Sequence, residues 1–166
     1  MTPALARRMA RYNSWQNASL IAAAGTLSDA ARRRDRGAFF GSIAATFDHL
    51  LVDDGLWLAR FAGVTRPVDE ARAVPSAGDD WAAFVACRAE RDAAIACWAA
   101  ALDEAALAGP VAWYPAGGSV RVEKPAELCA AHLFNHQTHH RGQIHAMLTA
   151  AGAMPGPTDL PMMPDD

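Results

Sequence analysis

The most informative part of the chain is residues 125–150, which read PAELCAAHLFNHQTHHRGQIHAMLTA. Proline suits the first turn of a helix and glycine suits the position after its end, so a helix is predicted from Pro125 to just before Gly152. With an advance of ~100° per residue, its larger apolar residues fall on one face. We predict that this face is buried; it contains Cys129, Leu133, Ile144, Met147 and Leu148.

Five of the six histidines lie in this predicted helix, and their positions around it differ. His136 and His140 fall within the buried stripe, one turn apart, where two imidazoles can reach one metal ion at ~2.0–2.1 Å. The alternative is a pair of core histidines bonded to protein partners, but polar Asn135 and Gln143 nearby favour a metal site. The remaining three fall at or beyond the edges of the stripe: His132, His139 and His145.

His49, in a second predicted helix, is the candidate third ligand. A catalytic zinc-type site has three protein ligands and one open position, and the histidine helix supplies only two. On its own helix His49 lies at the flank of an apolar stripe, where a ligand facing a cavity belongs. Three neutral imidazoles suit zinc, nickel, copper, iron or manganese. The apolar stripe comprises Phe39, Ile43, Leu50, Trp57 and Phe61.

Two neighbouring aspartates are further candidates for this site. Asp53 falls beside His49 and is a possible fourth ligand that would close the coordination sphere. Asp54 falls within or beside the apolar stripe, where a carboxylate must be paired because burying a bare charge is costly. It either orients a ligand histidine through the second ring nitrogen or belongs to a structural network with Arg60 or Arg141. The sequence leaves both roles open.

Three further predicted elements are helices at about 3–24, 38–61 and 79–107, each ended by glycine or a loop. Apolar residues alternate on both sides of Gly117-Gly118, which predicts a short β-hairpin over 111–122. The fold class is therefore all-α, a four-helix bundle with a hairpin between its third and fourth helices, in one domain of 166 residues. The proline-rich tail is expected to pack back on the bundle through Leu160, Met162 and Met163.

The composition narrows the function classes. Hydrophobic residues make up 52% of the chain, but no apolar run reaches the ~20 residues of a membrane span, and arginines stand where a secretory signal needs apolar residues. A net charge of −3 argues against nucleic acid, and the Arg32–Arg34 run is expected to be a solvated loop rather than a phosphate site. Three unpaired cysteines fit a reducing, cytoplasmic location.

Several segments resemble the DinB-like (damage-inducible) family of metalloenzymes. They are FNHQTHHRGQ at 134–143, ARYNSWQN at 10–17, HLLVDDGLWL at 49–58 and TDLP at 158–161. The resemblance implies a bundle with a non-sequential helix order, often dimeric. It also implies a metal held by His49, His136 and His140. The chain departs from the family at Gly55, where a larger, often basic residue is expected, and this departure would widen the pocket or weaken the helix.

The resemblance implies two classes of function. One is a metal-dependent enzyme that acts with a low-molecular-weight thiol, as a thiol transferase, or as a hydrolase. The other is a non-enzymatic, stress-related protein whose metal ion ties the second predicted helix to the fourth. No nucleophile motif, phosphate loop or nucleotide fingerprint supports another cofactor, and no catalytic residue is assigned. Minor candidates for the site are His132, His139 and Arg141, whereas residues expected mainly to join helices are Tyr12, Asn13, Trp15 and Asn17.

Overall fold

A computed structural model of the chain describes residues 1–65 and 73–165. The protein is mostly helical and has a small two-stranded sheet. The elements are α1 (Pro3–Gly25), α2 (Asp29–Arg33), α3 (Ile43–Phe61), α4 (Trp81–Ala101), α5 (Glu104–Ala108), β1 (Pro110–Trp113), β2 (Val122–Pro125) and α6 (Ala126–Ala150), followed by a 3₁₀ turn at Leu160–Met162. Within the described residues, no helix has the length and apolar character needed to cross a membrane.

The four long helices do not pack side by side in the order in which they follow one another in the chain. Helix α1 packs mainly on α4 and α6, and α3 likewise packs on α4 and α6. The buried apolar residues form two clusters, one around Leu20, Phe47 and Leu148 and the other around Ala10, Trp57 and Leu133. The helix order implied by the family resemblance therefore agrees with these contacts.

The predicted helix at 38–61 begins later than expected, at Ile43. A tight loop precedes it, in which the Arg36 backbone N–H donates to the Gly41 carbonyl and the Gly41 N–H donates to the Ala38 carbonyl. Gly37 and Gly41 both have positive φ, which a helix does not allow. Phe39, predicted on the buried stripe, is consequently 83% exposed.

The helix predicted at 79–107 is interrupted near its end. Helix α4 ends at Ala101, and Leu102 takes an extended backbone conformation. The Asp103 side chain then accepts a hydrogen bond from the Ala106 backbone N–H and so starts the separate helix α5. Helical composition alone does not reveal such a cap, because an aspartate is also tolerated within a helix.

The prediction of a solvated arginine loop is wrong for Arg32. This residue lies in α2 and is only 4% exposed, whereas its neighbours Arg33 and Arg34 are exposed. Its guanidinium donates to the backbone carbonyls of Ala24 and Leu27 and lies 4.3 Å from the centre of the Trp81 ring. Arg32 thus donates hydrogen bonds to carbonyls at the C-terminal end of α1 instead of facing solvent.

The predicted hairpin is present, but its second strand begins only at Val122 and runs to Pro125, beyond the predicted range of 111–122. Strands β1 and β2 are antiparallel, with Pro110 opposite Pro125 and Trp113 opposite Val122. Gly117 has a positive φ in the loop between them. Because α6 begins directly after β2, the hairpin leads into the helix that carries the histidines.

The tail packs differently from the prediction. Leu160 is 37% and Met162 63% exposed, so only Met163, which is half-buried, agrees with the expectation. Backbone carbonyls hold the tail instead: Tyr12 Oη donates to the Thr158 carbonyl. A chain rich in proline lacks many N–H groups, and its carbonyls remain available as acceptors.

Candidate metal centre

Three imidazoles converge between α3 and α6. His49 Nε2 lies 3.1 Å from His136 Nε2, and the His140 ring centre lies 4.6 Å from that of His49 and 4.5 Å from that of His136. One ring nitrogen from each residue lies within 4.8 Å of the others. The three histidines predicted from the sequence are therefore brought together by the fold.

The spacing of the His49 and His136 nitrogens fits a shared ion. Metal–nitrogen distances of ~2.0–2.1 Å place two ligand nitrogens roughly 2.9–3.4 Å apart for angles between octahedral and tetrahedral. The separation of 3.1 Å between His49 Nε2 and His136 Nε2 lies in this range. Three imidazoles are also the donor set of known catalytic zinc sites, so the residues present fit a divalent transition metal.

A hydrogen bond on the outer side of the His140 ring fixes the orientation of that ring. His140 Nδ1 lies 2.8 Å from Gln143 Oε1, and because an amide oxygen only accepts, Nδ1 carries the proton and Nε2 keeps its lone pair. His136 Nδ1 lies 3.5 Å from Asp53 Oδ2, which also accepts from Trp57 Nε1 at 3.1 Å. Asp53 therefore lies behind the His136 ring, and within residues 1–65 and 73–165 the metal-capable cluster around His49 consists of three histidines.

Burial favours the neutral form of two of the candidate ligands, His49 and His136. Loss of hydration lowers the pKa of His49, and it lowers the pKa of His136 to about 4 although the nearby Asp53 carboxylate opposes the shift. Neighbouring His140 and His49 add to the lowering at His136. A neutral imidazole is the form that binds a metal, so both rings are ready to ligate at neutral pH.

Aromatic rings enclose one side of the cluster. Phe40 stacks on His49 with ring centres 4.1 Å apart and lies 5.4 Å from His140. The sequence analysis missed this residue, although the adjacent aromatic pair just before Ser42, the cap of α3, was an available signal. His132 and His139 are exposed and lie outside the cluster, in agreement with their position at the edge of the stripe.

Asp54 belongs to a buried ion-pair network and not to the histidine cluster. It is 1% exposed and accepts from Arg88 Nη1 at 2.6 Å and from Gln137 Nε2 at 2.7 Å. Among the described residues, Asp54 forms neither the proposed contact with a ligand histidine nor a direct ion pair with Arg60 or Arg141. The role in a structural network is the one that the structure supports, because α4 brings in Arg88, which also donates to Asp92 at 2.9 Å. The spacing of Arg88 and Asp92 by four residues indicates that these two residues pair, but not that Arg88 reaches Asp54.

Helices α1 and α6 complete this network. Asn13 and Asn17 donate to Asp92 Oδ1 at 3.1 and 2.9 Å, and Arg141 donates to Asn13 Oδ1. The expectation that both asparagines join helices is confirmed. Burial raises the pKa of Asp92 and lowers that of Arg141 to about 10.

The small size of Gly55 serves the packing of α3 against Arg91. A Cβ at this position would lie 2.8 Å from Arg91 Nη1, so the glycine makes room for a guanidinium from α4. Helix α3 runs through Gly55 without interruption. Gly55 therefore provides space for Arg91 between two helices, and α3 continues through it.

The helical fold and the three converging histidines define a protein able to hold a metal ion. The family model of the DinB family matches residues 1–166, and the chain therefore belongs to the DinB family. No curated protein and no solved structure matches the chain.

Replacing Gln143 by leucine should weaken metal binding about 10- to 100-fold, because His140 loses the acceptor that holds its tautomer. A Gln143→Glu variant keeps an acceptor oxygen and should retain most of the affinity. The measurement is competition with a fluorescent chelator, and Asn135→Leu, an exposed polar position on the same helix, is the matched control. Equal affinities for Gln143→Leu and Asn135→Leu would contradict this role.

Proposed function

We propose that this protein is a metal-dependent enzyme of the thiol-transfer type, in which His49, His136 and His140 bind one divalent transition metal through Nε2. In this proposal the four long helices form the single bundle domain that the family resemblance implies. The small-molecule partner is a low-molecular-weight thiol, and the protein is a homodimer.

The observation that carries the proposal is that, among the described residues, no fourth His, Cys, Asp or Glu joins the three histidines. Asp53, the candidate fourth ligand, is engaged by Trp57 and His136 behind the ring. The tail is bonded to α1, through Tyr12 and Gln16. In the described part of the chain, the cluster thus combines three imidazoles with no carboxylate or thiolate. Three protein ligands with one open position are typical of catalytic rather than structural sites.

The chain's own residues would prepare this site for reaction. Gln143 holds the His140 ring through a hydrogen bond, Asp53 lies 3.5 Å behind the His136 ring, and Phe40 covers the face of His49 with an apolar surface. A bound divalent ion supplies Lewis acidity, which lowers the pKa of a thiol or water at the open position. Exclusion of water by Phe40 strengthens electrostatic interactions beside the ring.

The proposal is tested with metal-loaded protein and reactive electrophiles. Glutathione, bacillithiol and mycothiol are supplied in turn, and ester or amide hydrolysis is measured in parallel without thiol. We expect thiol-dependent turnover that His140→Ala abolishes. Turnover no greater than that of His140→Ala with every thiol would contradict thiol transfer, and hydrolysis alone would assign the hydrolase class instead.

A second candidate is a non-enzymatic protein in which the ion ties α3 to α6. It is favoured by the origin of the ligands, because His49 lies on α3 and both other histidines lie on α6. A ligand that binds only the folded state raises the unfolding temperature. Strong metal-dependent stabilisation without turnover on any tested substrate would favour this role.

The metal-free protein should lose stability as the pH falls from about 6.5 towards 4. The pKa of His136 is about 4 in the folded protein against a usual value of 6.5, so the unfolded chain binds more protons in this window. The stabilisation that comes from the neutral His136 ring is complete above pH 6.5 and is lost as the pH falls towards 4. We expect His136→Gln to show a smaller drop in unfolding temperature between pH 7.5 and pH 5; an equal drop would contradict the shift.

A further inference from the structure

A cavity separate from the metal centre opens between α1, α6 and the tail. Its volume is about 380 Å³, and its walls include Tyr12, Leu20, Arg141, Gly142 and His145. At ~100° per residue, Gly142 and His145 lie about 160° and 140° around α6 from His140. The cavity therefore opens on the opposite side of α6 from the histidine cluster.

The cavity has a buried cation that no carboxylate contacts. Arg141 is 5% exposed, and its guanidinium donates to Asn13 Oδ1 and to Thr138 Oγ1 and lies 5.5 Å from the Tyr12 ring centre. These partners are uncharged. Among residues 1–65 and 73–165, no carboxylate forms an ion pair with Arg141, whereas the equally buried Arg88 has two.

The walls above this guanidinium are largely apolar. Leu20 and the Tyr12 ring contribute from α1, and Tyr12 Oη is already donating to the tail at Thr158. A guanidinium has five N–H donors in a planar fork that matches a carboxylate. One cation compensates one negative charge, so the cavity suits a monoanion with an apolar body better than a phosphate dianion.

Gly142 leaves open space where a side chain would otherwise stand. Glycine in a helix interior is destabilising relative to alanine, and here φ is not positive. A Cβ at this position would meet no atom within 4 Å, so packing among the described residues does not require a glycine. Its missing side chain keeps the cavity floor open next to Arg141.

We propose that this cavity is a binding site for a small organic monocarboxylate, with the carboxylate on the Arg141 guanidinium and the apolar body between Leu20, Tyr12 and Gly142. The site is independent of the proposed metal chemistry and extends the function of the chain beyond it.

Benzoate is the test probe, and benzamide is its uncharged counterpart. Both are titrated into the metal-free and the metal-loaded full-length chain and followed by NMR chemical shifts and calorimetry. We expect saturable benzoate binding of similar affinity in both forms, with benzamide at least about 10-fold weaker because it lacks the charge-assisted hydrogen bonds.

Removing Arg141 also breaks its bond to Asn13, so Gly142→Phe is the better variant, because a Cβ at this position meets no atom within 4 Å and the added ring would occupy the cavity. It should weaken benzoate binding at least about 10-fold without lowering the unfolding temperature. Asn135→Phe, two turns earlier on the same exposed face, is the matched control and should bind as the unmodified chain does.

Five results would overturn the proposal. Four of them are the absence of saturable benzoate binding, equal binding of benzamide, full binding by Gly142→Phe, and displacement of benzoate by inorganic phosphate at lower concentration. Loss of benzoate binding in His140→Ala would place the probe at the metal centre and would also overturn it. None of these results depends on turnover at the histidine cluster, so they do not bear on the thiol-transfer proposal.

Discussion

Replacing Arg88 by leucine should lower the free energy of unfolding by about 3–5 kcal/mol. Arg88 is 2% exposed and donates to Asp54 at 2.6 Å and Asp92 at 2.9 Å. Leucine fills part of the space but leaves two buried carboxylates without a cation, and the penalty for an uncompensated buried charge dominates. Chemical denaturation of metal-free protein measures the effect directly.

Two comparisons separate this explanation from a general loss of packing. Arg121→Leu removes an arginine that pairs with Glu123 while about half exposed, and it should cost less than about 1 kcal/mol. Adding Asp54→Asn and Asp92→Asn to Arg88→Leu removes the bare charges and should recover much of the loss.

The loss of stability in Arg88→Leu should also become smaller from pH 7 to pH 5, since the folded state of this variant binds protons more readily than its unfolded state. A deficit that does not depend on pH would contradict this cause.

Replacing His140 by alanine should reduce metal affinity more than about 100-fold, since loss of a ligand exceeds the effect of losing one of its orienting partners. Two nitrogens would remain, at 3.1 Å from each other, and His140 would no longer complete the cluster. Elemental analysis of protein purified without a metal-affinity column gives the metal content, and chelator competition gives the affinity.

The matched control is His145→Ala, which removes a histidine from the same helix on the other side. Its metal affinity should stay within about threefold of the unmodified chain, because His145 is not part of the cluster. Similar losses in both variants would mean that the helix binds metal non-specifically through its many histidines, and the proposed centre would be abandoned.

The sequence predicted the histidine cluster because the three residues obey simple geometry. His136 and His140 are one turn apart on the buried face, and three-ligand sites require one more histidine, for which His49 lies on the flank of its apolar stripe. The presence of a hairpin and the C-terminal ends of α1, α3 and α6 followed from glycine and proline, whose backbone preferences are local. Apart from the approach of His49 to the other two histidines, these features depend on residues close in the chain.

The features that were missed depend on contacts between distant segments. Asp54 was correctly expected to be paired, but its partner Arg88 comes from another helix, and no local pattern selects it over Arg60 or Arg141. Phe40 reaches His49 only because the loop closed by Gly41 turns it back over α3. The burial of Arg32 likewise depends on Trp81, far away in the sequence.

The buried network of Asp54, Arg88, Asp92 and Gln137 has a consequence for how accurately the three imidazoles are placed. Gln137 on α6 donates to Asp54 on α3 at 2.7 Å, and these residues directly follow His136 and Asp53 in the chain. If α3 slid or rotated by one residue, this bond and the ion pair of Arg88 with Asp54 would break together, and a shift of α6 would break the Gln137 bond. Apolar side chains tolerate such shifts far better. This network thus sets the register of α3 against α6. The relative positions of the three imidazoles therefore depend on a hydrogen bond that involves none of them.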